Sequence, residues 1–597
     1  MRSPATRLLF ATVLVATLGA FIATQRLKGG FPLVLRFATQ PVAFSPNGDG
    51  VRDTATVGFD LTRDAVVSFR VIDAEGREVR ELVPFRRLPG DVRYRFRWDG
   101  RDDDGRRVPD GIYRLRVIAR DEGRVVDSIK ELVVDTKPPA VHLVAAKPAL
   151  AAPGEPVTVR YAGPANRSPE FFVFRSDHSG RAHRVARFRG HGRTGVWDGR
   201  VGERPAPPGH YAFTVRVRDR AGNERLAPAR APTAQIARAG TGVTVTRLAV
   251  TGPVVAVRPG TRVRFAVAPT GAREGAYRVS LRRAGSAGTL RRFRAAGSFF
   301  RLRVPVSART GLYVVTVQRG RVRASWPLAV EGTVRGGGER RLLVVVPLSS
   351  WQAANPADGD SDGFVETIGP RGGTVSLARP FARIASEAGR VGTLVRLLER
   401  ARFTIDIATD VELERGRWLA AGRSVAGAIG PSIVVAGSLG YAGAVTRAAI
   451  RRHVAAGGAI AFLGRDSLHR SCAIVGERLE CGERRPADVF GALTSLRRYA
   501  PAPLAVQSDT LGVFRRVDRL VGLFDRFEVT RKLPTGARTL SVAAAPDGAT
   551  ALVAYRYGRG LIVQAGVDGW LAQLVPRSFR DDVRHVTISL AGVLTAR

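Results

Sequence analysis

The 597-residue sequence predicts a multidomain protein in which tandem all-β sandwiches are followed by an α/β domain with a doubly wound parallel sheet. The length indicates several domains, since most domains hold about 100–200 residues. Glycine (66) and proline (35) are abundant, which argues for many turns and against an all-helical chain. A strand-rich unit also recurs in the first half, and buried strands alternate with helices in the second.

Residues 1–30 are predicted to be a signal anchor or a signal peptide. A basic start precedes the uncharged run from Leu8 to Thr24, and Gln25-Arg26-Leu27-Lys28 closes it. At about 1.5 Å per residue this run spans about 25 Å, against about 30 Å for the hydrocarbon core of a bilayer. No clean Ala-x-Ala site stands before Gln25, so we expect a retained membrane anchor with all later domains outside the cytoplasm. Secretion after cleavage is the alternative.

A unit of about a hundred residues recurs along the first half of the chain. Trp98-Asp99-Gly100 precedes the alternating run 111–117, and Trp197-Asp198-Gly199 precedes 209–215. A third copy keeps only 310–317, where a glycine again leads into alternating apolar residues. Alternation of period two is typical of half-buried strands, whose apolar faces must pack against each other. The predicted sandwiches are residues 37–137, 138–235 and 243–332.

The first two copies also carry recognisable phrases. Residues 44–53, together with Trp98-Asp99-Gly100-Arg101-Asp102 and Gly111-Ile112-Tyr113, resemble the Ig-like domain of flagellar hook-capping proteins and its relatives on secreted bacterial proteins. The phrase 218–223 in the second copy is typical of bacterial surface Ig-like repeats. The third copy is assigned by periodicity alone. The resemblance implies a stalk of Ig-like sandwiches on a bacterial cell-envelope protein.

From Arg341 the pattern changes, after a seam at Gly336-Gly337-Gly338. Continuous apolar runs predict strands buried on both faces, and amphipathic runs predict helices. The strands are predicted at 342–348, 403–408, 432–436 and 459–463, and the helices at 389–400 and 443–456. Three β-α units in order predict a parallel doubly wound sheet with helices on both faces. A hairpin over 551–565 and a closing helix over 581–594 complete the predicted domain, 340–597.

Three phrases of this domain, 403–414, 455–464 and 557–566, carry a second resemblance. They are similar to the class I glutamine amidotransferase-like fold, and most closely to the C-terminal region of the N,N-dimethylformamidase large subunit. The resemblance implies an amide hydrolase that binds its substrate at the carboxyl ends of the strands. It also implies an iron held by tyrosines and a glutamate.

The segment that carries reactive groups in that family is different here. After the strand at 432–436 the family has Gly-His-x-Glu-Tyr-Trp, whereas this chain reads Gly437-Ser438-Leu439-Gly440-Tyr441. Tyr441 alone is too few ligands for iron, so iron is not expected. The nucleophilic cysteine of the amidotransferases is also absent from this turn. We therefore predict a domain that binds a ligand or partner without turnover.

The alternative is an exported hydrolase that acts on C–N bonds. The sequence 436–440 approximates the turn that exposes a serine between a strand and a helix, with Ser438 as nucleophile and Asp568 as an orienting acid. The candidate bases are His453, His469 and His585. An enzyme would gather polar groups around Ser438, Tyr441 and Trp351, whereas a purely structural spacer would have no crevice.

Two acidic loops are candidates for calcium. The loop 358–363 places Asp358, Asp360 and Asp362 at positions 1, 3 and 5 of an EF-hand-type loop, with a glycine at position 6. Glu366 falls at position 9, but Gly369 stands at position 12, where a bidentate glutamate is expected, so weak affinity is predicted. An oxygen-rich turn in the first sandwich offers a second set, Asn47, Asp49 and Asp53. The alternative is a solvated turn whose side chains cap their own backbone.

Cys472 and Cys481 are the only cysteines, and they stand nine residues apart. In an exported chain such a pair predicts a disulfide, because oxidising compartments preserve it. A zinc site would need two further ligands, and His469 is the only one nearby. Catalytic use of a thiol is the third reading.

The formal net charge is +42, from 94 Lys plus Arg against 52 Asp plus Glu. Such a chain is attracted to polyanions, which makes an anionic polymer of the envelope a candidate partner beside the membrane. Export and the absence of a recognisable nucleic-acid module exclude nucleic acid from the expected partners. A codon bias that favours arginine, with the arginines on the solvent faces of strands, would explain the charge as well as a polyanionic partner does.

Overall fold

The computed structural model describes residues 4–28, 32–166, 168–176, 180–268, 275–332, 340–416, 432–515, 517, 519–575 and 581–596. The chain is dominated by β-structure, with 48% of residues in strands and 14% in helices. The first helix, α1, spans Pro4–Lys28. Within the described ranges, no helix combines the length and the apolar character needed to cross a membrane. The predicted seam at 336–338 lies outside the described residues.

The first sandwich packs two antiparallel sheets around Phe59, Phe69 and Trp98. Its strands are β1 (Val34–Gln40), β2 (Ala43–Phe44), β3 (Ala55–Leu61), β4 (Ala65–Ile72), β5 (Glu78–Leu88), β6 (Val92–Trp98), β7 (Gly111–Ala119), β8 (Arg124–Asp127) and β9 (Leu132–Val134). One sheet has the order β1-β3-β6, and the other has the order β2-β9-β7-β4-β5, with β8 beside β7. A parallel β2·β9 pair is the exception to the antiparallel pattern.

The second sandwich has the same plan around Phe171, Trp197 and Tyr211. Its strands are β10 (His142–Lys147), β11 (Leu150–Ala151), β12 (Val157–Ala162), β13 (Glu170–Ser176), β14 (Ala182–Arg189), β15 (Thr194–Trp197), β16 (Arg200–Val201), β17 (Arg204–Pro205), β18 (Gly209–Arg218), β19 (Glu224–Ala227) and β20 (Val243–Val245). The sheets are β10-β12-β15 and β11-β20-β18-β13-β14, with β19 beside β18. Because β20 pairs with β18, residues 243–245 complete this sandwich and not the third.

The third sandwich packs around Phe265, Tyr313 and Trp326. Its strands are β21 (Ala249–Thr251), β22 (Arg262–Ala268), β23 (Tyr277–Arg283), β24 (Thr289–Ala295), β25 (Phe299–Arg303), β26 (Gly311–Arg319) and β27 (Val322–Val330). The sheets have the orders β21-β22-β25 and β24-β23-β26-β27.

One tyrosine contact is repeated in all three sandwiches. The hydroxyl of Tyr113 donates to the carbonyl of Pro109 at 2.8 Å, and that of Tyr211 donates to Pro207 at 2.7 Å. In the third copy Tyr313 donates to Arg309 at 2.8 Å. Such a tyrosine corner fixes the chain where it enters a central strand of an Ig-type sandwich. The third copy, which lacks the Trp-Asp-Gly phrase, therefore keeps the same local structure.

The C-terminal region is built on one nine-stranded sheet. Its elements, with those of a small three-stranded sheet, are β28 (Arg341–Val346), α2 (Leu348–Ala354), β29 (Gly373–Ser376), α3 (Ala385–Arg400), β30 (Thr404–Thr409), α4 (Asp410–Glu414), β31 (Ser432–Val435), α5 (Ala444–Ala455), β32 (Ala459–Phe462), β33 (Arg470–Val475), β34 (Arg478–Arg484), β35 (Leu493–Asp509), β36 (Leu520–Lys532), β37 (Arg538–Ala544), β38 (Thr550–Tyr557), β39 (Gly560–Ala565), a 3₁₀ turn (Trp570–Leu574) and α6 (Asp582–Thr595). The large sheet has the order β30-β28-β31-β32-β39-β38-β37-β35-β36.

The prediction of a doubly wound parallel α/β domain is wrong. Strands β30, β28, β31, β32 and β39 run parallel, but β38, β37, β35 and β36 add an antiparallel half. The sequence reading extended the strand and helix alternation of 341–463 to the whole domain. Long strands such as Leu493–Asp509 are exposed or half-buried along most of their length, so they carry no continuous apolar run that would predict them.

The third sandwich and the C-terminal sheet share one core. Leu312 and Val314 of β26 belong to the same buried cluster as Leu394 of α3 and Val344 of β28. On the other side, Trp326 lies 5.2 Å from Phe381 between ring centroids. Cys472 and Cys481 form a disulfide across the hairpin β33–β34, which belongs to the small sheet β29-β34-β33.

Candidate functional site

A cleft of about 460 Å³ opens at the carboxyl ends of the parallel strands β28, β31 and β32. Open sheets with parallel strands place ligands at this edge, because the strand-to-helix loops diverge there. The loops that follow the three strands contribute Pro347, Gly437 and Gly464 to its wall. Asp568, in the turn before the 3₁₀ segment, and Trp570, the first residue of that segment, close the cleft.

Ser438 and Tyr441, the two residues considered for catalysis, both line this cleft, as does Trp351. Gly464 lets the two loops approach, since a Cβ there would lie 2.6 Å from the backbone N of Ser438. The hydroxyl of Tyr441 donates to the carbonyl of Ile368 at 3.3 Å, and burial raises its pKa above the ordinary value.

Charged pairs surround the opening. Arg390 donates to Glu387 at 2.6 Å on one wall. Across the cleft, the nearest nitrogen and oxygen of Arg465 and Asp568 lie 3.5 Å apart. Both signs of charge are therefore presented to whatever enters, which suits a small polar ligand better than an apolar one.

Ser350 was not identified from the sequence, yet it contributes a buried polar group to the cleft. The residue is 8% exposed, and its Oγ has no hydrogen-bond partner among the described residues. A buried hydroxyl without a partner costs about 1–3 kcal/mol, so native proteins rarely keep one without use. The available signal was its position directly after a buried strand, in the phrase Pro347-Leu348-Ser349-Ser350-Trp351.

The three histidines considered as bases lie elsewhere. The ring of His453 faces the carbonyl of Ala459 at 3.4 Å, and that of His585 faces Asp581 O at 2.9 Å. The described lining of the cleft contains no histidine. Ser438 and Asp568 are thus brought into one cleft without any of the three candidate bases.

His469 belongs instead to a buried network behind the cleft that is centred on Glu528. Glu528 Oε1 lies 2.8 Å from His469 Nε2 and accepts from Thr494 Oγ1 at 2.6 Å. Its other oxygen accepts from the backbone N of Asp466 at 2.6 Å. Burial opposes ionisation of Glu528, but these hydrogen bonds, led by that from His469, keep its pKa below the ordinary value. The network holds Asp466, with φ of 62°, in the wall of the cleft.

The loop 358–363 gathers a second site. Oxygen atoms of Asp358, Asp360, Asp362 and Glu366 all lie within 4.8 Å of one another. Burial, and then repulsion from Asp362, raises the pKa of Asp358 to about 7. Burial likewise raises the pKa of Asp362 to about 6 and raises that of Glu366. One cation, Arg379, binds Glu366 at 2.9 Å, which leaves an excess of negative charge when all four acids are ionised.

This acidic loop is also a joint between domains. The backbone N of Gly240 donates to Asp360 O at 2.8 Å, and that of Gly242 donates to Ser361 O at 2.7 Å. From the second sandwich, Ser176 Oγ donates to Gly363 O at 2.6 Å. The C-terminal region therefore holds the second sandwich through the loop that carries the four acids.

The turn with Asn47, Asp49 and Asp53 is arranged differently. Asp53 accepts from the backbone N of Gly48 and Gly50, both at 2.7 Å, and Asp49 accepts from that of Val51 at 2.7 Å. A hydrogen bond from Asn47 contributes most to the lowered pKa of Asp49. These side chains cap their own turn, and calcium binding there stays a prediction.

Comparison with family models gives two matches. Residues 298–502 match the model described as N,N-dimethylformamidase beta subunit-like, C-terminal. Residues 45–123 match the FlgD Ig-like domain. The chain therefore has a dimethylformamidase-like C-terminal domain and an Ig-like domain, as the sequence phrases indicated. The first match begins within the third sandwich, in agreement with the core that this sandwich shares with the C-terminal sheet.

Several solved structures are similar to parts of the chain. Three N-terminal domains of the bacteriophage RB49 highly immunogenic outer capsid protein match at 10% identity and a TM-score of 0.21, over 50% of this chain and 99% of theirs. A tetra-tandem repeat from the extending region of a large adhesion protein matches at 14% identity and a TM-score of 0.17, over 50% and 74%. The human OSCAR ligand-binding domain matches at 20% identity and a TM-score of 0.20, over 32% and 94%. No curated protein matches the chain.

Proposed function

We propose that this chain is an exported cell-envelope protein whose Ig-like sandwiches present a dimethylformamidase-like C-terminal domain that binds a ligand or partner without turnover. The matches to an Ig-like and a dimethylformamidase-like domain support an envelope protein of this plan. The basic start and apolar run of residues 1–28 support export, with that segment as membrane anchor or signal.

The composition of the cleft carries the proposal. It combines two ion pairs, the aromatic Trp351 and the unpartnered hydroxyl of Ser350, which are groups that recognise a polar ligand. The described lining places no histidine beside Ser438, whose hydroxyl needs a general base to become a nucleophile at neutral pH. The cleft therefore has groups that can recognise a polar ligand, but it lacks the complete set of residues needed for acyl transfer.

The test is hydrolysis of N,N-dimethylformamide, which consumes water and releases formate and dimethylamine. With the full chain, with and without added iron, we expect no more formate than with buffer. The matched variants are Ser438→Ala and Tyr441→Phe, which change the two residues considered for catalysis. Formate release by the natural chain that disappears in either variant would overturn the proposal and support the hydrolase.

We also propose that the acidic loop binds calcium. Carboxylate oxygens are the ligands that calcium prefers, and four of them converge here from one turn. A divalent cation would offset the repulsion among Asp358, Asp360 and Asp362, whereas Arg379 forms its ion pair with Glu366. Position 12 of the loop is Gly369, which has no side-chain ligand to offer. This supports weak affinity.

A further inference from the structure

Positive charge is concentrated in the third sandwich. Residues 243–332 contain seventeen arginines and two glutamates, a net charge of +15. By contrast, residues 37–137 contain nineteen basic and nineteen acidic residues and are neutral. A codon habit that favours arginine would act on both segments alike, so it does not account for the loss of acidic partners in one of them.

The arginines of this sandwich form pairs across its three-stranded sheet. Arg262 of β22 lies directly opposite Arg303 of β25, and Arg264 lies opposite Arg301. All four side chains are on the solvent side, because they alternate with buried residues such as Val263. We refer to these four residues as the arginine face.

Among the residues that the structure describes, no acid forms an ion pair with the arginine face. Like charges directly opposite each other on a sheet are destabilising, and no ion pair among the described residues includes any of the four. The one described acid of the sandwich is Glu331, which lies beyond the last strand. Such an arrangement is unfavourable for the isolated protein, and an external anion would relieve it.

Neighbouring side chains hold the face in place. The guanidinium of Arg264 lies 4.4 Å from the ring centroid of Phe299, which is 43% exposed beside it. From the adjoining edge strand, Arg291 donates to Arg303 O at 3.5 Å. The opposite sheet of the sandwich packs on α3, whereas Ala266, on the face of β22 that carries Arg262 and Arg264, borders a cavity together with Asp358 of the acidic loop.

The spacing fits a linear partner. Opposite residues on neighbouring strands are about 5 Å apart, and alternate residues along a strand are about 7 Å apart, so the four arginines leave the sheet from a grid of these dimensions. Arginine binds carboxylate and phosphate in a bidentate manner. Single-stranded nucleic acid is bound mainly on several stacking aromatic rings, whereas Phe299 is the one exposed ring beside this face among the described residues.

We propose that the arginine face binds a linear anionic polysaccharide of the cell envelope, with one carboxylate at each sugar. This surface is separate from the cleft, so the proposal goes beyond the ligand binding described above. Because binding releases counterions, its affinity falls steeply with salt.

The experiment measures binding of the full chain to polygalacturonate in 50 mM NaCl. The test variant is Arg264→Gln/Arg301→Gln, and the matched control is Arg93→Gln/Arg97→Gln, which removes two exposed strand arginines from the neutral first sandwich. We expect the test variant to bind at least about 10-fold more weakly and the control within about twofold of the natural chain. Thermal unfolding midpoints at least as high as that of the natural chain show that the test variant is folded.

Three results would overturn the proposal. They are no binding to polygalacturonate, equal weakening by both variants, and tighter binding to a DNA 20-mer that depends on the same arginines. Neutral dextran serves as the uncharged probe, and binding to it would also contradict recognition by charge. None of these measurements involves the cleft. A negative result here would therefore leave the outcome of the hydrolysis test unaffected.

Discussion

At the scale of single residues, adjacent serines after β28 have opposite environments. The backbone N of Ser349 donates to Asp410 at 3.1 Å, and its hydroxyl donates to the same carboxylate. Burial raises the pKa of Asp410 to about 6, although these donors favour its ionised form. Ser350, one residue on, lines the cleft without a partner. The first serine therefore contributes hydrogen bonds to the fold, whereas the hydroxyl of the second makes none to the described residues.

We expect Ser350→Ala to stabilise the protein by up to about 1 kcal/mol, because it removes a buried hydroxyl that has no partner. Ser349→Ala should destabilise it by about 1–3 kcal/mol at pH 8, because the ionised Asp410 loses a donor. The loss should shrink at pH 5, below the folded-state pKa of about 6, since the carboxyl is then protonated and needs the donor less.

Thermal and urea unfolding at the two pH values measure both effects. Both serines lie in α2, so the change in helix propensity on going to alanine is the same for each. Destabilisation by Ser350→Ala would mean that its hydroxyl has a partner in the free protein.

At the scale of elements, helix α3 joins the third sandwich to the C-terminal sheet. Gly392 makes this possible, since a Cβ there would lie 2.2 Å from the backbone of Ala284. Nearby, Arg283 donates to Glu399 of the same helix at 3.0 Å. The junction is thus close-packed and ion-paired, which explains why the boundary drawn between 332 and 340 does not separate two cores.

We expect Gly392→Ala to destabilise the protein by about 1–3 kcal/mol, because the added methyl group forces the helix away from Ala284. Gly389→Ala is the control, since no atom lies within 4 Å of its added Cβ. That variant should be neutral or stabilising by up to about 1 kcal/mol, as alanine favours helix more than glycine does. Equal unfolding midpoints for the two variants would contradict the close junction.

At the scale of the whole molecule, the sandwiches are linked by loops that dock on their neighbours. Asn223 of the second sandwich accepts from Ser45 Oγ of the first at 2.7 Å and donates to Asp135 O at 2.8 Å. At the other end, the acidic loop receives Ser176 and Gly242. Both oxygen-rich turns predicted from the sequence therefore lie at joints.

If the acidic loop binds calcium, the ion stabilises the joint between the second sandwich and the C-terminal region. We expect calorimetry on the full chain to show one weak site, and the thermal midpoint to rise in millimolar calcium relative to chelator. At ten times Kd the gain is about 1.4 kcal/mol. Asp362→Asn should abolish both effects, whereas Asp104→Asn, in an exposed hairpin of the first sandwich, should change neither. Absence of heat and of a thermal shift in 10 mM calcium would contradict the site.

The local sequence pattern was enough to predict the repeated sandwiches, the helices observed at 385–400 and 444–455, and the position of Ser438 and Tyr441 after a buried strand. These features depend on residues close in sequence, whose periodicity and turn chemistry are visible without the fold. The pairing of Cys472 with Cys481 was predicted because they are the only two cysteines, nine residues apart, in a chain expected to be exported.

Only the tertiary structure decided how distant segments meet. The antiparallel half of the C-terminal sheet, the network around Glu528, and the core shared through Leu312 depend on pairings between segments far apart in sequence. The same holds for the arginine face, where Arg262 and Arg303 become neighbours only once β22 and β25 pair. Sheet register fixes which side chains face each other, and a one-residue shift would send each of them to the opposite face.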